Sequence, residues 1–103
     1  MALLTRIRIV GPSMEPALAN GEWWVARRSR RLRPGDVVIL IHPRRPDLRI
    51  VKRLDHLGEL GWWVLGDNPE SSDDSRAFGW VPVDRIVGRL WFRYGRDRAA
   101  RRG

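Results

Sequence analysis

The segment RPGDVVILIHPRRPDLRIVKRL, residues 33–54, decides the fold. It contains two short apolar segments, at residues 37–41 and 49–54, with turn-forming residues between them at 43–46. Valine and isoleucine favour strands, and apolar segments this short between Pro and Gly signals are typical of strands rather than helices. The segment therefore predicts two β-strands and an intervening turn.

The same pattern recurs on both sides of this segment. Further apolar segments lie at residues 7–10, 23–26, 62–65 and 86–94, and Gly, Pro and Asp residues separate them. Helix is expected only as one turn after Ser13 and another near residues 83–86. The sequence thus predicts an all-β fold, a single small antiparallel β domain of about six strands with at most short helical turns.

The length and composition set the domain organisation. With 103 residues the chain is long enough for one modest core, so we assign residues 1–95 to one domain and 96–103 to a basic, disordered tail. The chain has no cysteine, which excludes disulfides and thiolate metal sites. No apolar run reaches the roughly 20 residues that cross a bilayer, so we expect a soluble, cytoplasmic protein.

The charge is strongly basic, and its chemical make-up is uneven. The formal net charge is +8, with arginine concentrated at residues 27–33, 44–45 and 96–102. Such clusters favour an acidic partner or are simply solvated surface, and the sequence leaves both open. Nineteen of the twenty basic residues are arginine, which does not lose its proton in proteins. Lys52 is therefore the one cationic side chain able to become a neutral amine.

Lys52 is a candidate general base because of its position in a predicted strand. Alternation along residues 49–54 places Lys52 on the same face as Ile50 and Leu54, opposite Arg49 and Arg53. A lysine on an apolar face is partly desolvated, which lowers its pKa from about 10.4 toward the range of a useful base. A snorkelling lysine, or one paired with a carboxylate such as Asp74, remains an alternative.

Ser13 is the matching candidate nucleophile. It lies between Gly11-Pro12 and Met14-Glu15, directly after a predicted strand. A serine needs a nearby base, and a serine with a lysine is one accepted solution. The segment is not the Gly-x-Ser-x-Gly elbow of the α/β hydrolases, and taken alone a serine in such a loop is most often a turn residue.

Four segments in this order resemble the signal peptidase I family of Ser-Lys peptidases over about residues 7–94. They are GPSMEPAL at 11–18, RPGDVV at 33–38, IVKRL at 50–54 and GDNPESSDDSRAFG at 66–79. The resemblance implies the small β fold of the signal peptidase and LexA-like catalytic core. It also implies that Ser13 attacks the scissile carbonyl, Lys52 carries the proton and Ser72 hydrogen-bonds the lysine amine.

The resemblance implies further residues beside the site. Asp74 and Arg76 match the structural ion pair of the family. Asp67 and Asn68 lie at the start of the same segment, residues 66–79, and are expected to be structural residues near the site. An Asp-x-Asp-x-Asp-Gly calcium loop is not present there. Substrate contacts are expected from Gly11, Pro12 and Met14 around the nucleophile, and no metal ligand is expected. Gly11 occupies a position where many members place a hydroxyl of the oxyanion hole, which leaves the backbone N–H of Ser13 as the evident donor.

Among the branches of the family, the chain most resembles the proteases that mature nickel-type superoxide dismutase. The features are the short chain with twelve residues before Ser13, the GDNP sequence and the tandem tryptophans before it. The resemblance implies a protein precursor as partner and removal of its N-terminal propeptide. Any nickel would belong to that substrate, because this chain has no cysteine and two histidines, so we expect no cofactor.

Other functions were weighed against this one. A general leader peptidase acting at a membrane is the second enzymatic hypothesis, with peripheral membrane contact through outward-facing tryptophans. A self-cleaving repressor has no room for its other domain, and His42 and His56 are expected at the surface and not in a Ser-His pair. A basic β domain that binds single-stranded nucleic acid explains the charge but not Ser13 and Lys52, so we expect no nucleic-acid partner. The oligomeric state is not predicted.

Overall fold

Strand β3, Val37–His42, lies inside a six-stranded sheet, and both of its faces are largely buried. The computed structural model describes residues 3–71 and 73–97. The sheet order is β1-β2-β6-β3-β4-β5, and every neighbouring pair is antiparallel. The other strands are β1 Leu4–Arg8, β2 Glu22–Arg27, β4 Arg45–Gly58, β5 Gly61–Leu65 and β6 Ile86–Arg96.

The helical content is small and lies between β5 and β6. It comprises a 3-10 turn at Pro69–Ser71, one short helix α1 at Ser75–Phe78 and a second 3-10 turn at Val83–Arg85. Asp74 caps α1, accepting a hydrogen bond from the Arg76 N–H. The prediction of an all-β antiparallel domain with short helical turns is confirmed.

The bounds of three segments differ from those predicted. Strand β1 begins at Leu4 and ends at Arg8, earlier than the predicted 7–10, although Ile9 still exchanges backbone hydrogen bonds with Gly21 and Glu22. Strand β4 begins at Arg45 and includes Pro46, which the sequence analysis had placed in a turn. Strand β6 continues through Arg96, one residue past the predicted end of the domain, and residues 98–103 of the predicted tail lie outside the described residues.

Two sets of buried side chains cover the two faces of β3. On one face Val38 and Leu40 pack with Leu54 of β4 and with Phe78 and Val81 from the long segment between β5 and β6. On the other face Ile39 packs with Ala26 and Val87. A neighbouring cluster of Ile9, Met14 and Leu18 extends this second face under the segment that carries Ser13. This double burial explains why residues 37–41 are continuously apolar and do not alternate.

Strand β6 carries three register shifts, two against β2 and one against β3. Such bulges bend a strand and increase its twist, so the sheet curls. The outer edge of β1 is unpaired, and β5 pairs with β4 only from Arg53 onward. The curl brings the free edge of β1 toward the free edge of β4 at residues 48–52, and a cleft lies between them.

The segment after α1 is attached to the sheet beside Gly61. Trp62 and Val81 exchange two backbone hydrogen bonds of 2.8 Å, and Gly61 has a φ of 123° beside them. A Cβ on Gly61 would overlap the backbone carbonyl of Val81, whereas a Cβ on Gly35, with a φ of 95°, would meet open space.

We expect Gly35→Ala to cost about 1–2 kcal/mol of folding free energy through backbone strain alone. Gly61→Ala should cost at least about 2 kcal/mol more, because it adds the overlap with Val81. Thermal unfolding of both variants measures the difference, at about 4–8 °C per kcal/mol for a domain of this size. Equal losses of stability would contradict the role given to this contact.

Candidate active site

A cleft of about 400 Å³ lies between the free edges of β1 and β4. One wall comes from Thr5 through Val10, and the other from Leu48 through Lys52. Ser13 and Met14 close one end of it. The cleft therefore brings together the predicted nucleophile and the predicted base, which are 39 positions apart in the sequence.

The segment that carries Ser13 is fixed at several points. Gly11 has a φ of 83°, which glycine adopts readily, and its N–H donates to the Asn20 side chain at 2.8 Å. After Ser13 the chain forms hydrogen-bonded turns, with the Leu18 N–H donating to the Met14 carbonyl at 2.9 Å. Met14 is 1% exposed and packs with Ile9 and Leu18. Ser13 is half-buried and follows directly from this anchored backbone.

Lys52 is 4% exposed and lies on the face predicted for it, between Ile50 and Leu54. Burial lowers the pKa of Lys52, because the ammonium loses contact with water. The negative charges of Asp74 and Asp73 act in the opposite direction and only partly offset this effect. The amine is therefore easier to deprotonate than an exposed lysine, as a general base requires.

Asp67 and Asn68 connect the serine segment to the lysine strand. Asp67 forms a bidentate ion pair with Arg53, with Nε–Oδ1 at 2.9 Å and Nη2–Oδ2 at 2.8 Å. The Asn68 N–H donates to the Ser13 carbonyl at 2.8 Å, and its side-chain amide donates to the Pro12 carbonyl at 3.2 Å. Two adjacent residues thus hold the neighbour of Lys52 and the backbone of Ser13 in one arrangement.

Asp74 is 1% exposed and organises the rest of the loop. Its carboxylate accepts hydrogen bonds from the Arg76 guanidinium at 2.7 and 3.0 Å and from the Gly66 N–H at 3.0 Å. The adjacent Ser75 hydroxyl accepts the Val64 N–H at 2.8 Å. These bonds fasten the loop to the end of β5, next to the face on which Lys52 lies.

The remaining predicted site residues fall in different places. Ser72, expected to position the lysine amine, lies outside the described residues. Met14 is buried in the core and also contributes to the floor of the cleft. Gly11 and Pro12 do not line the cleft, and the Pro12 carbonyl is taken up by Asn68 and by the Glu15 N–H.

Sequence reasoning missed two contributors and misplaced one residue. For Arg53 the sequence predicted only the strand face, and not its ion pair with Asp67, although its position next to Lys52 indicated that it could stabilise the site. Ser75 had no assigned contact. The expectation that His42 lies at the surface is wrong: it is 4% exposed and packs on Phe78 with ring centroids 4.7 Å apart. Its Nδ1 accepts the Arg44 N–H, so Nε2 carries the proton and faces Asp73 at 3.3 Å.

Comparison with known proteins identifies the family. The chain matches the family described as signal peptidase, peptidase S26, over residues 1–58 and 57–95. The chain belongs to the signal peptidase S26 family. This confirms the family inferred from the four sequence segments.

The S26 chain is similar in sequence to several membrane and signal peptidases. It is 31% identical over 109 residues to mitochondrial inner membrane protease subunit 1 of Homo sapiens, covering 81% of this chain and 64% of that protein. It is 31% identical over 110 residues to subunit 2 of Danio rerio, covering 80% of this chain and 59% of that protein. A stretch of 31 residues, 30% of this chain and 16% of the relative, is 61% identical to signal peptidase IB of Staphylococcus aureus. The chain spans less than two thirds of the length of the curated relatives it matches over most of its own length.

Within residues 3–71 and 73–97, no helix of this S26 chain has the length and apolarity needed to span a membrane.

Burial of Lys52 has a measurable effect on stability. Its folded-state pKa lies below the unfolded value, so between the two the unfolded chain binds more protons and stability rises with pH. At pH below the folded-state pKa, both states carry the proton and the full cost of burying the charge is present. Lys52→Met should therefore stabilise the protein by about 1 kcal/mol or more at pH 6, with an advantage that shrinks as the pH rises toward about 10.

Thermal unfolding across this pH range measures the effect. The matched control is Arg49→Met, which removes an exposed cation from the same strand and should give no pH-dependent gain. An unchanged or reduced stability of Lys52→Met at pH 6 would contradict the buried-amine interpretation.

Proposed function

We propose that this chain is a serine endopeptidase in which Ser13 is the nucleophile and Lys52 is the general base. The observation that carries the proposal is that a half-buried serine and the only lysine, buried and with a lowered pKa, line the same cleft. Membership of the signal peptidase S26 family supports the same chemistry. Arginine cannot replace Lys52 in this role, because its guanidinium stays protonated.

The reaction follows from the properties of these two groups. The neutral Lys52 amine takes the proton of the Ser13 hydroxyl as Oγ bonds to the scissile carbonyl carbon. The resulting ammonium gives that proton to the leaving amine as the C–N bond breaks, which leaves an ester on Ser13. Lys52 then deprotonates a water molecule that attacks this ester, and the proton returns to the Ser13 oxygen as the new carboxyl end departs.

The backbone N–H of Ser13 is the donor that we assign to the oxyanion. Within the described residues it has no hydrogen-bond acceptor, whereas the Gly11 N–H is already engaged with Asn20. The Pro12 carbonyl, which shares a planar peptide unit with the Ser13 N–H, accepts hydrogen bonds from the Asn68 side-chain amide and from the Glu15 N–H, and these bonds fix the orientation of the donor. A donor fixed in advance stabilises developing charge without the cost of reorganising at the moment of reaction.

The substrate is an extended segment of a precursor protein. The free edges of β1 and β4 offer unpaired backbone groups on the two sides of the cleft, as required for strand addition. The floor is apolar, with Ile7, Ile9 and Ile50 among the lining residues, so it takes small or apolar substrate side chains. The cleft also confines the scissile bond to the end where Ser13 lies.

The finer proposal is that the precursor is nickel-containing superoxide dismutase and that the enzyme removes its N-terminal propeptide in the cytoplasm. The support is the sequence: the GDNP segment at residues 66–69 and the tandem tryptophans at 62 and 63. Trp63 stacks on His56 and meets Trp80 at 4.9 Å between centroids, so these rings build the surface beside β5.

A general leader peptidase acting at a membrane is the second candidate. It is favoured by the names of the relatives, which are inner membrane proteases and a signal peptidase. Exposed Leu3, Leu4 and Val10 lie at the two ends of β1 and would suit contact with lipid. This candidate requires activity on Ala-x-Ala precursors that increases when vesicles are added, and the dismutase candidate does not.

Substitutions at the two proposed catalytic residues test the peptidase. Purified protein incubated with the dismutase precursor should release the propeptide, as mass spectrometry of the new N-terminus would show. Ser13→Ala and Lys52→Arg should each reduce cleavage at least about a thousandfold, because one removes the nucleophile and the other keeps the charge but not the base. His56→Gln, an exposed control, should keep full activity, which would exclude His56 as the base.

Two outcomes would overturn these assignments. Residual activity of Lys52→Arg near the wild-type level would remove Lys52 as the base. Absence of cleavage of the dismutase precursor by wild type, together with cleavage of an Ala-x-Ala precursor on vesicles, would replace the first candidate with the second.

The pH dependence tests which carboxylates tune the base. Asp73 and Asp74 both raise the pKa of Lys52, and Asp73 is the exposed one, with 66% of its side chain accessible. Asp73→Asn should therefore lower the pKa of Lys52 further and move the acid limb of kcat/KM to lower pH. The shift should decrease at high salt, because the carboxylate is exposed. Asp84→Asn, an exposed acid outside this group, should leave the limb in place; an unmoved limb in Asp73→Asn would contradict the assignment of Lys52.

A further inference from the structure

A pocket built almost entirely from arginine lies beside the end of the sheet where β2 finishes. Its volume is about 460 Å³. Apart from Ser29, its lining consists of Arg27, Arg28, Arg30, Arg31, Arg33 and Arg89. The proposed peptidase chemistry uses none of these side chains.

No carboxylate among the described residues pairs with the arginines of this pocket, and Arg27 lies over the ring of Trp91 at 5.5 Å. In the part of the chain that the structure describes, none of the six guanidinium groups forms an ion pair, although Arg8, Arg53 and Arg76 each do so elsewhere. Arg27 and Arg89 are directly opposite each other in the β2–β6 register. Like charges facing across a sheet are destabilising, so an anionic ligand would relieve a repulsion that folding alone leaves in place.

The arginines are carried by a fixed backbone and not by a frayed tail. The Arg28 N–H donates to the Leu3 carbonyl at 2.9 Å, and the Gly35 N–H donates to the Leu54 carbonyl at 2.7 Å. Between these points Leu32 packs against the main core cluster. A backbone held in this way loses little conformational entropy when a ligand binds, so the cost of ordering falls on the arginine side chains.

The arginine pocket lies at the end of the cleft opposite Ser13. The cleft runs along β1 from Ser13 to Thr5, and the next residue, Leu4, pairs with Arg27. Two further arginines, Arg6 and Arg49, line the cleft itself and form no ion pair within residues 3–71 and 73–97. An extended peptide advances about 3.3 Å per residue, and the wall of the cleft along β1 extends from Thr5 to Val10, so a chain emerging beside Leu4 lies roughly six residues from the bond held at Ser13.

We propose that the arginine pocket is an exosite for an acidic segment of the precursor, located roughly six residues from the scissile bond. The inference rests on the proposed peptidase function and adds the charge of its substrate. A concave pocket suits compact carboxylates on a peptide already held in the adjoining cleft better than it suits a flat lipid surface. Its continuity with the cleft, through the pairing of Leu4 with Arg27, favours the substrate over a nucleic acid bound independently.

The test uses fluorogenic peptides that share one cleavable Ala-x-Ala core. Each carries four Glu or four Gln residues beginning about six positions from the scissile bond, placed on its N-terminal side in one pair and on its C-terminal side in the other. In one of the two placements, the Glu peptide should show a kcat/KM about tenfold above its Gln partner at low salt, through KM. The advantage should disappear in a variant with Arg28, Arg30 and Arg31 all changed to Gln.

A matched control removes the same number of charges elsewhere, by changing Arg44, Arg45 and Arg85 to Gln. It should keep the preference for the Glu peptide, which separates the pocket from the net charge of the protein. A direct measurement avoids turnover: fluorescence anisotropy of labelled Glu and Gln peptides with the Ser13→Ala protein should show the same preference. Cleavage of the Gln peptide by wild type reports the peptidase itself, so failure of the proposed function and failure of the exosite are distinguishable.

Equal binding of the Glu and Gln peptides in both placements would overturn the exosite. A preference that survives the loss of the three pocket arginines would overturn it as well. If those three substitutions instead abolish binding to anionic phosphatidylglycerol vesicles or to oligothymidylate without changing the peptide preference, the pocket serves lipid or nucleic acid and the proposal is wrong.

Discussion

The desolvation of one amine is the constraint on which the rest of this structure depends. Lys52 lies on a strand face that otherwise carries apolar side chains, where an ammonium is less stable than in water. The sheet must therefore be stable enough to hold that group in place, and the double burial of β3 supplies much of the necessary apolar packing. Asp74, whose carboxylate could have held Lys52 fully charged, is itself bonded to Arg76 and to backbone N–H groups. The attraction of that carboxylate only partly offsets the effect of burial, and the pKa of Lys52 stays below its ordinary value.

A second requirement is that two segments distant in sequence keep a fixed position relative to each other. Ser13 lies on a segment between β1 and β2, and Lys52 lies in β4, so nothing in the local chain relates them. Asp67 and Asn68 relate them through three contacts: an ion pair to Arg53, a hydrogen bond to the Ser13 carbonyl and a hydrogen bond to the Pro12 carbonyl. The Gly66 N–H bond to Asp74 then connects the same brace to the buried carboxylate. This loop is thus a structural part of the site even where its side chains do not line the cleft.

The sequence predicted the features that depend on local pattern. Alternation placed Lys52 on the apolar face, and short apolar segments between turn residues placed six strands, because both properties are set by neighbours a few positions away. The bidentate pairing of Arg53 with Asp67 and the burial of His42 against Phe78 depend on partners 14 and 36 positions away, and no local pattern specifies them. Pro43 after His42 indicated a turn correctly, but a turn in sequence says nothing about what packs over it. The site roles of Ser13, Lys52 and Ser72 stay predictions, with Ser13 and Lys52 now placed at one cleft.

The use of arginine at nearly every basic position is consistent both with a single general base and with a basic binding surface. A basic surface made of lysine would offer many amines able to titrate or to act as bases, whereas guanidinium groups keep their charge at any pH in which the fold survives. Lys52 is the only amine side chain in the sequence, and burial lowers its pKa, so the arginine surface adds charge without adding competing bases. The acidic segment that we propose for the arginine pocket would bind roughly six residues away along the peptide, far enough for solvent to screen its charge from the amine.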